Sequence, residues 1–381
     1  MASLADASAK DRPDEESRYK EWFALWRLTD LELWPDIPGR DACDIRAMTR
    51  QKGTAHEHQI IAATDDLGSM VGIGMLDLPQ RDNRHSMGID IRVHPEHRRR
   101  GAGRTIVNDA VRWAREDGRT KLSSFLEVPT GPVASHPSGP FARSQGFEAT
   151  LFGNRRHLQL PVEPELLARL NGEVTQARGA DEYRTMTFIA PWPEEYLEDQ
   201  CEMQRRMSTD QPSGDALNEE EVWDASRVAE TDDLLIAQEP TKLVAVAQHI
   251  ASGRLVAFTE IVVSETRPTE AWQWQTLVLA QHRGHRLGLA VKVANLAFLS
   301  TVMPTARRVI TGNAQENAPM IEVNDALGFE VVATGTYWQM SLNPPGSPSY
   351  KPTSRLRCIG RVVRHATVAT SVSWLQKLAG G

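Results

Sequence analysis

The chain has 381 residues, enough for two to three domains of ordinary size, each with its own core. With 40% hydrophobic and 24% charged residues it reads as globular, neither disordered nor fibrous. A formal net charge of −7 excludes a general affinity for nucleic acid or for an anionic membrane. Cys43, Cys201 and Cys358 are odd in number and far apart, which excludes a disulfide framework and fits a reducing cytoplasm. No charged-then-apolar leader opens the chain and no apolar run approaches ~18 residues, so the expected location is cytoplasmic, with no membrane span.

Residues 1–17 are small and charged, and disorder is expected there. Trp22, Leu25, Trp26 and Leu28 predict a helix that ends before Pro35 and Pro38. Ile60–Ala63 and Met70–Leu78 predict a hairpin around Asp65, Asp66, Leu67 and Gly68. Arg81–His85 is a polar turn, followed by a strand alternating through Ile89, Ile91 and Val93. Thr105–Glu116 is helical, Leu122–Val128 a strand, and Pro129–Pro140 a loop rich in Pro, Gly and Ser. A short helix at Phe141–Ser144 closes on Gly146-Phe147, and Arg156–Leu160 is the last strand of this half.

The same order then recurs. Val71, Val93, Arg98 and Gly103 match Val256, Val278, Arg283 and Gly288 at one offset (256−71, 278−93, 283−98, 288−103). Gly146-Phe147 matches Gly328-Phe329 after a small indel. This spacing is too long for a solenoid repeat and means two related domains in tandem. The expected division is domain 1 over 18–162, a connector over 163–182, domain 2 over 183–342, and a basic tail over 343–381. Domain 2 opens with a strand-like Tyr183–Ile189 that has no counterpart before Trp22, so domain 1's sheet lacks that strand or borrows one. In the tail, Arg355, Arg357, Arg361, Arg364 and Lys377 interleave with Val, Ile and Trp374, as in a loose extension or a basic amphipathic helix.

The most informative stretch is Val93–Arg104, VHPEHRRRGAGR. A strand, a Gly-bearing turn and a helix start make a phosphate cradle: free N–H groups of the first helical turn point at the anion, and the helix dipole favours it. Gly101 and Gly103 allow close approach, Ala102 is small, and Arg98, Arg99, Arg100 and Arg104 supply charge. The stretch lacks GK[ST] and the third spaced glycine of a dinucleotide loop. Its Arg98-Arg99-Arg100-Gly101-Ala102-Gly103 resembles motif A of the GNAT acyl-CoA N-acyltransferases. The second copy, VLAQHRGHRLGLA from Val278, keeps Arg283 and Gly288 but puts Arg286 where Gly101 stands, which predicts a bulkier loop. Asn313–Phe329 resembles the family's motif B.

The chain thus resembles a tandem-domain GNAT protein over roughly residues 20–342. The resemblance implies an α/β (α+β) chain of two tandem GNAT folds, each a mixed, splayed central sheet flanked by helices. It implies pantetheine in the splay, near the backbone of Ile91–Val93 or Leu277, Val278 and Leu279, with Gly284, His285 and Arg286 in the second phosphate loop. Asn313, Asn317 and Asn324 are candidates for hydrogen bonds to pantetheine, Asn324 also for the catalytic site, with a cap or turn role as the other reading. The family often uses a tyrosine acid four residues before the motif-B Gly-Phe; that position holds Ala142 in domain 1 and Asn324 in domain 2.

Attack on a thioester needs a neutral amine, so a base is expected. Glu260, in the apolar strand Leu255–Val263, is the first candidate, with a salt-bridged strand residue as the other reading. Asp90, matched by Gln275, is the next. His85 and Asp82 are candidates to line an acceptor cleft, as are Trp34–Gly39 and Arg205–Asp215. Trp22, Trp26, Trp34, Trp223, Trp272 and Trp274 either stack on a substrate ring or fill the core. His56-Glu57-His58 can place two imidazoles on one strand face, but lacks further metal ligands.

The expected function is transfer of an acyl group from acetyl-CoA to a small-molecule amine, without nucleic acid or a membrane span, as monomer or homo-oligomer. A catalytically degenerate CoA-binding or interaction protein is the alternative, and an ATP-binding protein the third.

Overall fold

In this computed structural model, residues 12–35, 42, 45–46, 55–129, 136–212, 219–238, 240–342 and 357–359 are described. The elements in chain order are α1 (Arg12–Leu33), β1 (His56–Thr64), β2 (Met70–Pro79), β3 (Ser86–Val93), α2 (Ala102–Glu116), β4 (Lys121–Val128), α3 (Ser138–Ser144), β5 (Glu148–Gln159), α4 (Pro164–Thr175) and β6 (Tyr183–Ile189). They continue with α5 (Leu197–Met207), α6 (Ala225–Gln238), β7 (Thr241–His249), β8 (Leu255–Val263), β9 (Glu270–Val278), α7 (Leu287–Val302), β10 (Arg308–Ala314), α8 (Ala318–Leu327), β11 (Glu330–Ser341) and β12 (Arg357–Ile359).

The duplication read from the sequence is carried by the backbone. β1, β2 and α2 begin 185 residues before β7, β8 and α7 (241−56, 255−70, 287−102). β5 and β11 begin 182 apart (330−148). Two compact units result. Among the described residues, one takes the chain up to Ser124, then Phe141–Glu148 and the segments from Gln339 on. The other takes Phe125–Pro140 and Ala149–Trp338.

In the first unit the strand order is β12-β1-β2-β3-β4. β1, β2 and β3 pair antiparallel, and β3 and β4 pair parallel across the α2 crossover. Helix α1 starts at Arg12, inside the stretch expected to be disordered. Its Tyr19, Trp22, Leu25 and Trp26 recur at helical spacing and pack on Ile60, Ala62 and Ile73 from one sheet face. On the other face α2 buries Ile106, Val107, Ala110 and Ala114. That contact is close because β2 carries Gly72 and Gly74: a Cβ on Gly74 would lie 2.9 Å from Ile61 and 3.0 Å from Ile106. The strand missing at the front of this half is supplied by the C-terminal segment, since β12 pairs antiparallel with β1, Ala62 opposite Ile359. The rest of the basic tail, with Cys43 and residues 1–11, lies outside the described residues.

His56 and His58 do share a strand face, but both meet Asp77, at 2.8 and 3.7 Å. Burial pushes the Asp77 carboxyl up, while His56, His58 and Arg119 more than cancel this and bring it down to about 2. Its ordinary value is 3.8. A carboxyl depressed in the folded state contributes stability above its unfolded value and loses it as pH falls through the folded one. The first unit is therefore expected to lose about 2 kcal/mol between pH 4 and pH 2 through this group, with a slope that Asp77→Asn flattens in acid titrations followed by circular dichroism.

In the second unit the order is β11-β5-β10-β9-β8-β7-β6. β9 and β10 are parallel across α7, and β5 to β10 and β6 to β9 pair antiparallel. β5, read from sequence as domain 1's last strand, lies here, with Leu158 in a core shared with Leu170, Leu243, Leu296 and Phe329. The stretch read as a connector is helix α4, whose Leu166, Leu170 and Val174 pack into that same core. The opposite face carries α5, whose Met203 and Met207, together with Trp192 ahead of the helix, pack on Val244, Phe258 and Leu277.

Candidate functional site

In both units the parallel strand pair parts. β3 and β4 are paired only from Ser86–Lys121 to Gly88–Ser123, while β3 runs on through Ile91 to Val93. β9 and β10 are paired only from Glu270–Arg308 to Trp272–Ile310, while β9 runs on through Leu277 to Val278, one residue short of Leu279. A register shift between Thr259 and Ile261 helps turn β9 away. Beyond the partings, one backbone edge of each strand has no strand partner and offers N–H and C=O groups to an extended ligand.

Each free edge leads into a short 3₁₀ turn, Pro95–His97 or Ala280–His282, and then a helix. Two residues of each loop are left-handed: Arg99 (φ 62°) and Gly101 (φ 97°) in the first, Gly284 (φ 88°) and Arg286 (φ 55°) in the second. The arginine and glycine have exchanged places, and the backbone path is kept. Arg286 therefore does not open a different loop; it tolerates the conformation of Gly101 at a steric cost. The first intrahelical bond, Thr105 N to Gly101 O at 3.0 Å, leaves the N–H groups of Ala102, Gly103 and Arg104 facing out of the helix end. Arg99→Gly is expected to raise the thermal stability of the first unit by about 0.5–1 kcal/mol, relief of the left-handed strain outweighing the added chain entropy.

The loop side chains divide into two sets. Arg98 and Arg283, expected to meet phosphate, hold the loops instead. Arg98 donates Nε–H to Val93 O at 3.2 Å and pairs with Glu32 at 2.8 Å. Arg283 donates to Val278 O at 3.1 Å and to Asp210 at 2.7 Å. Gly103 serves packing rather than ligand approach: a Cβ there would sit 2.9 Å from the Phe141 ring. Gly288 has only ordinary contact room, 3.7 Å from Val278. In the second loop His285 binds Arg178 O at 2.6 Å and Arg286 pairs with Glu173 at 2.5 Å. In the first, Arg99, Arg100 and Arg104 are exposed beside the helix start.

Residues 19–147 match the family model described as acetyltransferase (GNAT) family. A tandem GNAT protein from the clavulanic acid biosynthesis pathway superposes with a TM-score of 0.69 at 26% identity, over 86% of this chain and 96% of that one. Residues 19–147 are thus a GNAT acetyltransferase domain, and the chain as a whole resembles a tandem GNAT protein. A GCN5-related N-acetyltransferase from Sphaerobacter thermophilus shares the fold at TM-score 0.57 and 14% identity, over 86% of this chain and 94% of that one. So does a glucosamine N-acetyltransferase region of a fungal multi-domain β-N-acetylglucosaminidase, at 0.59 and 14%, covering 89% and 39%. No curated protein matched the chain by sequence.

On this GNAT frame the catalytic candidates fall apart from one another. Glu260 is 2% exposed, on β8, and its carboxylate lies 2.9 Å from Lys242 Nζ. Of the two sequence readings, the salt-bridged one describes its surroundings. Asp232 lies close enough to feel both charges; burial raises its pKa, Lys242 lowers it and Glu260 raises it. Asp90 is paired with Arg92 at 3.3 Å, and Arg92 also binds Asp30 at 3.2 Å and covers the Trp26 ring at 3.7 Å. Gln275, its counterpart, is buried. His85 anchors the turn before β3 through its carbonyl, which accepts from Thr120 N and Lys121 N. Asn317 caps α8, its Oδ1 accepting from Met320 N at 3.4 Å. Trp22 and Trp26 are core residues, and Trp223 lies under Arg227. Residues 36–39 and 213–215 of the two acceptor-side stretches lie outside the described residues.

Asn324 and Asn313 are brought together: Asn324 Nδ2 donates to Asn313 Oδ1 at 3.3 Å. The partner that sequence reading missed is Lys292 on α7, whose Nζ donates to Asn324 Oδ1 at 2.7 Å. The signal was present, a lone lysine inside the apolar run LGLAVKVANLAFL.

Proposed function

We propose that the chain is an acyl-CoA-dependent N-acyltransferase that moves an acetyl group from acetyl-CoA to the amine of a small molecule by direct attack in a ternary complex. The observation that supports this most is the repeated combination of a parted parallel strand pair with a left-handed turn at a helix start. The residues fit coenzyme A. Helix-end N–H groups at Ala102–Arg104 and the exposed Arg99, Arg100 and Arg104 suit its diphosphate, and the free edge of Ile89–Val93 suits the pantetheine amides. When bound, the donor supplies an activated thioester carbonyl.

The chain's own groups bind the donor, face the acceptor and take its proton. Glu260 with Lys242, on the sheet face that carries α5, forms a buried polar site for an amine in the second unit. In the first unit the candidate polar groups are Asp90 and His85. The first unit carries the loop with Gly101, and the second unit the more polar interior. The clavulanic acid pathway neighbour supports a role in natural-product tailoring.

A second reading, a CoA-binding protein without turnover, is favoured by Ala142 and Asn324 at the place of the family's acid. Calorimetry with CoA, followed by free-thiol release from acetyl-CoA over a panel of primary amines, separates the two. Binding with turnover supports the enzyme. Binding without release across the panel supports the second reading, and absence of CoA binding overturns both.

A further inference from the structure

One face of the second unit's sheet carries ionisable groups that the acyl-transfer reading leaves unused. Along β5, Arg155 and His157 share a face, and the register sets them opposite Gly312 and Ile310 of β10. Arg308 lies on the same face of β10, with Glu270 of β9 opposite it and Trp272 opposite Ile310. His157 is 7% exposed, and its Nε2 meets no hydrogen-bond partner among the described residues. The charges that it feels are both positive: burial first, then Arg155 and Arg308, bring its pKa down to about 4. The acids of this face stand at its flanks, Glu127 paired with Arg155 and Glu270 lying 2.9 Å from Arg308 Nε. A buried imidazole nitrogen left without a partner is costly, so a group that pairs with it is favoured.

This face is reached from solvent. The Arg308 side chain is 23% exposed, Trp272 and Trp274 are half-buried, and Gln159, opposite Arg308, is exposed. The face also meets the strand parting. Gly312 lies two residues past Ile310, the last position of β10 paired with β9, and its lack of a side chain leaves a gap there. Arg155 stands opposite that gap, its guanidinium 5.3 Å from the Trp272 ring. From Gly312 back to the level of His157 is two residues of strand, about 7 Å. The fold does not demand these charges: the repeat puts Tyr337 and Gln339 at the places of Arg155 and His157 (155+182, 157+182).

We propose that the second unit takes an amine that also carries a carboxylate, with the amine at the parting beside Gly312 and the carboxylate held by His157 and Arg308. This rests on the acyltransferase reading above and deepens it by naming the substrate class. A carboxylate there accepts charge-assisted hydrogen bonds from a guanidinium and gives the orphan imidazole nitrogen its partner. Arg155, kept in place by Glu127, adds positive charge on the parting side. The same arginines select against a diamine, whose second ammonium would be repelled.

The test is calorimetry on the CoA-loaded full chain with 5-aminopentanoate, whose extended chain spans the distance from Gly312 to His157, against pentylamine and 1,5-diaminopentane, which lack its anion. 5-Aminopentanoate is expected to bind about tenfold or more tighter than either. In nuclear magnetic resonance spectra the His157 ring signals, identified by their loss in His157→Asn, are expected to move with 5-aminopentanoate and not with pentylamine. The ring is also expected to titrate at higher pH in that complex, because a nearby anion favours its charged form. His157→Asn and Arg308→Gln are each expected to bring 5-aminopentanoate down to the affinity of pentylamine, with the circular dichroism of the wild type, which shows that they fold. Equal affinity of the wild type for the three amines, or binding of none, overturns the proposal and leaves the acyltransferase reading intact. So does a preference for 5-aminopentanoate that survives in both variants, or a His157 signal that does not respond to it. Absence of CoA binding in the wild type overturns the acyltransferase reading and this proposal with it.

Discussion

Gly101→Glu is expected to weaken CoA binding at the first loop about 100-fold or more, close to 3 kcal/mol. Two effects act in one direction. Gly101 has φ 97° and caps α2, so any side chain there is strained and stands at the mouth of the helix end. A carboxylate at that point also occupies and repels: it takes up the N–H groups that an anion would meet and opposes the charge of a diphosphate. Backbone strain alone is controlled by Gly118→Glu. Gly118 closes the other end of the same helix at φ 73°, and a Cβ there would meet no atom within 4 Å. Calorimetry should show the loss in Gly101→Glu and wild-type affinity in Gly118→Glu. Equal affinity in all three proteins removes the first loop from CoA binding.

Trp22→Ala is expected to cost the first unit about 3–5 kcal/mol, seen as an earlier urea transition of that unit. Trp22 is fully buried, stacks on Trp26 with centroids 5.1 Å apart, and joins Tyr19, Ile45, Ile60 and Ile73 in one core. Removal of an indole leaves a cavity that a helix pinned at both ends of this cluster cannot collapse into. Trp22→Phe should cost far less, because the buried indole Nε1 makes no hydrogen bond. A substrate-stacking role would give the opposite pattern, with little loss of stability and a large loss of acceptor binding.

Local signals carried most of what was legible. The strand–turn–helix of Val93–Arg104, the glycine at 101 and the closing Gly-Phe pairs are all set by neighbours in sequence, and the elements follow them closely. The tandem repeat was legible for a related reason. Duplicated chains keep their spacing, so β1, β2 and α2 recur as β7, β8 and α7 at one offset. From these came the resemblance, the two folds and the proposed place of the anion cradle.

Only the tertiary structure decided which partners the polar side chains meet. Arg98 looks like a phosphate ligand until Glu32 and the Val93 carbonyl are found to hold it. Gly103 looks like a ligand-approach glycine until the Phe141 ring is found against it. β5 pairs with β10 of the second half, and β12 with β1, because a strand edge accepts any extended segment of matching pattern and sequence distance imposes no barrier. Lys292, Asn324 and Asn313 lie on three elements, and no periodicity joins them. Backbone conformation is determined over a few residues, whereas a side chain's hydrogen bonds and its cost of burial depend on whatever the fold brings beside it.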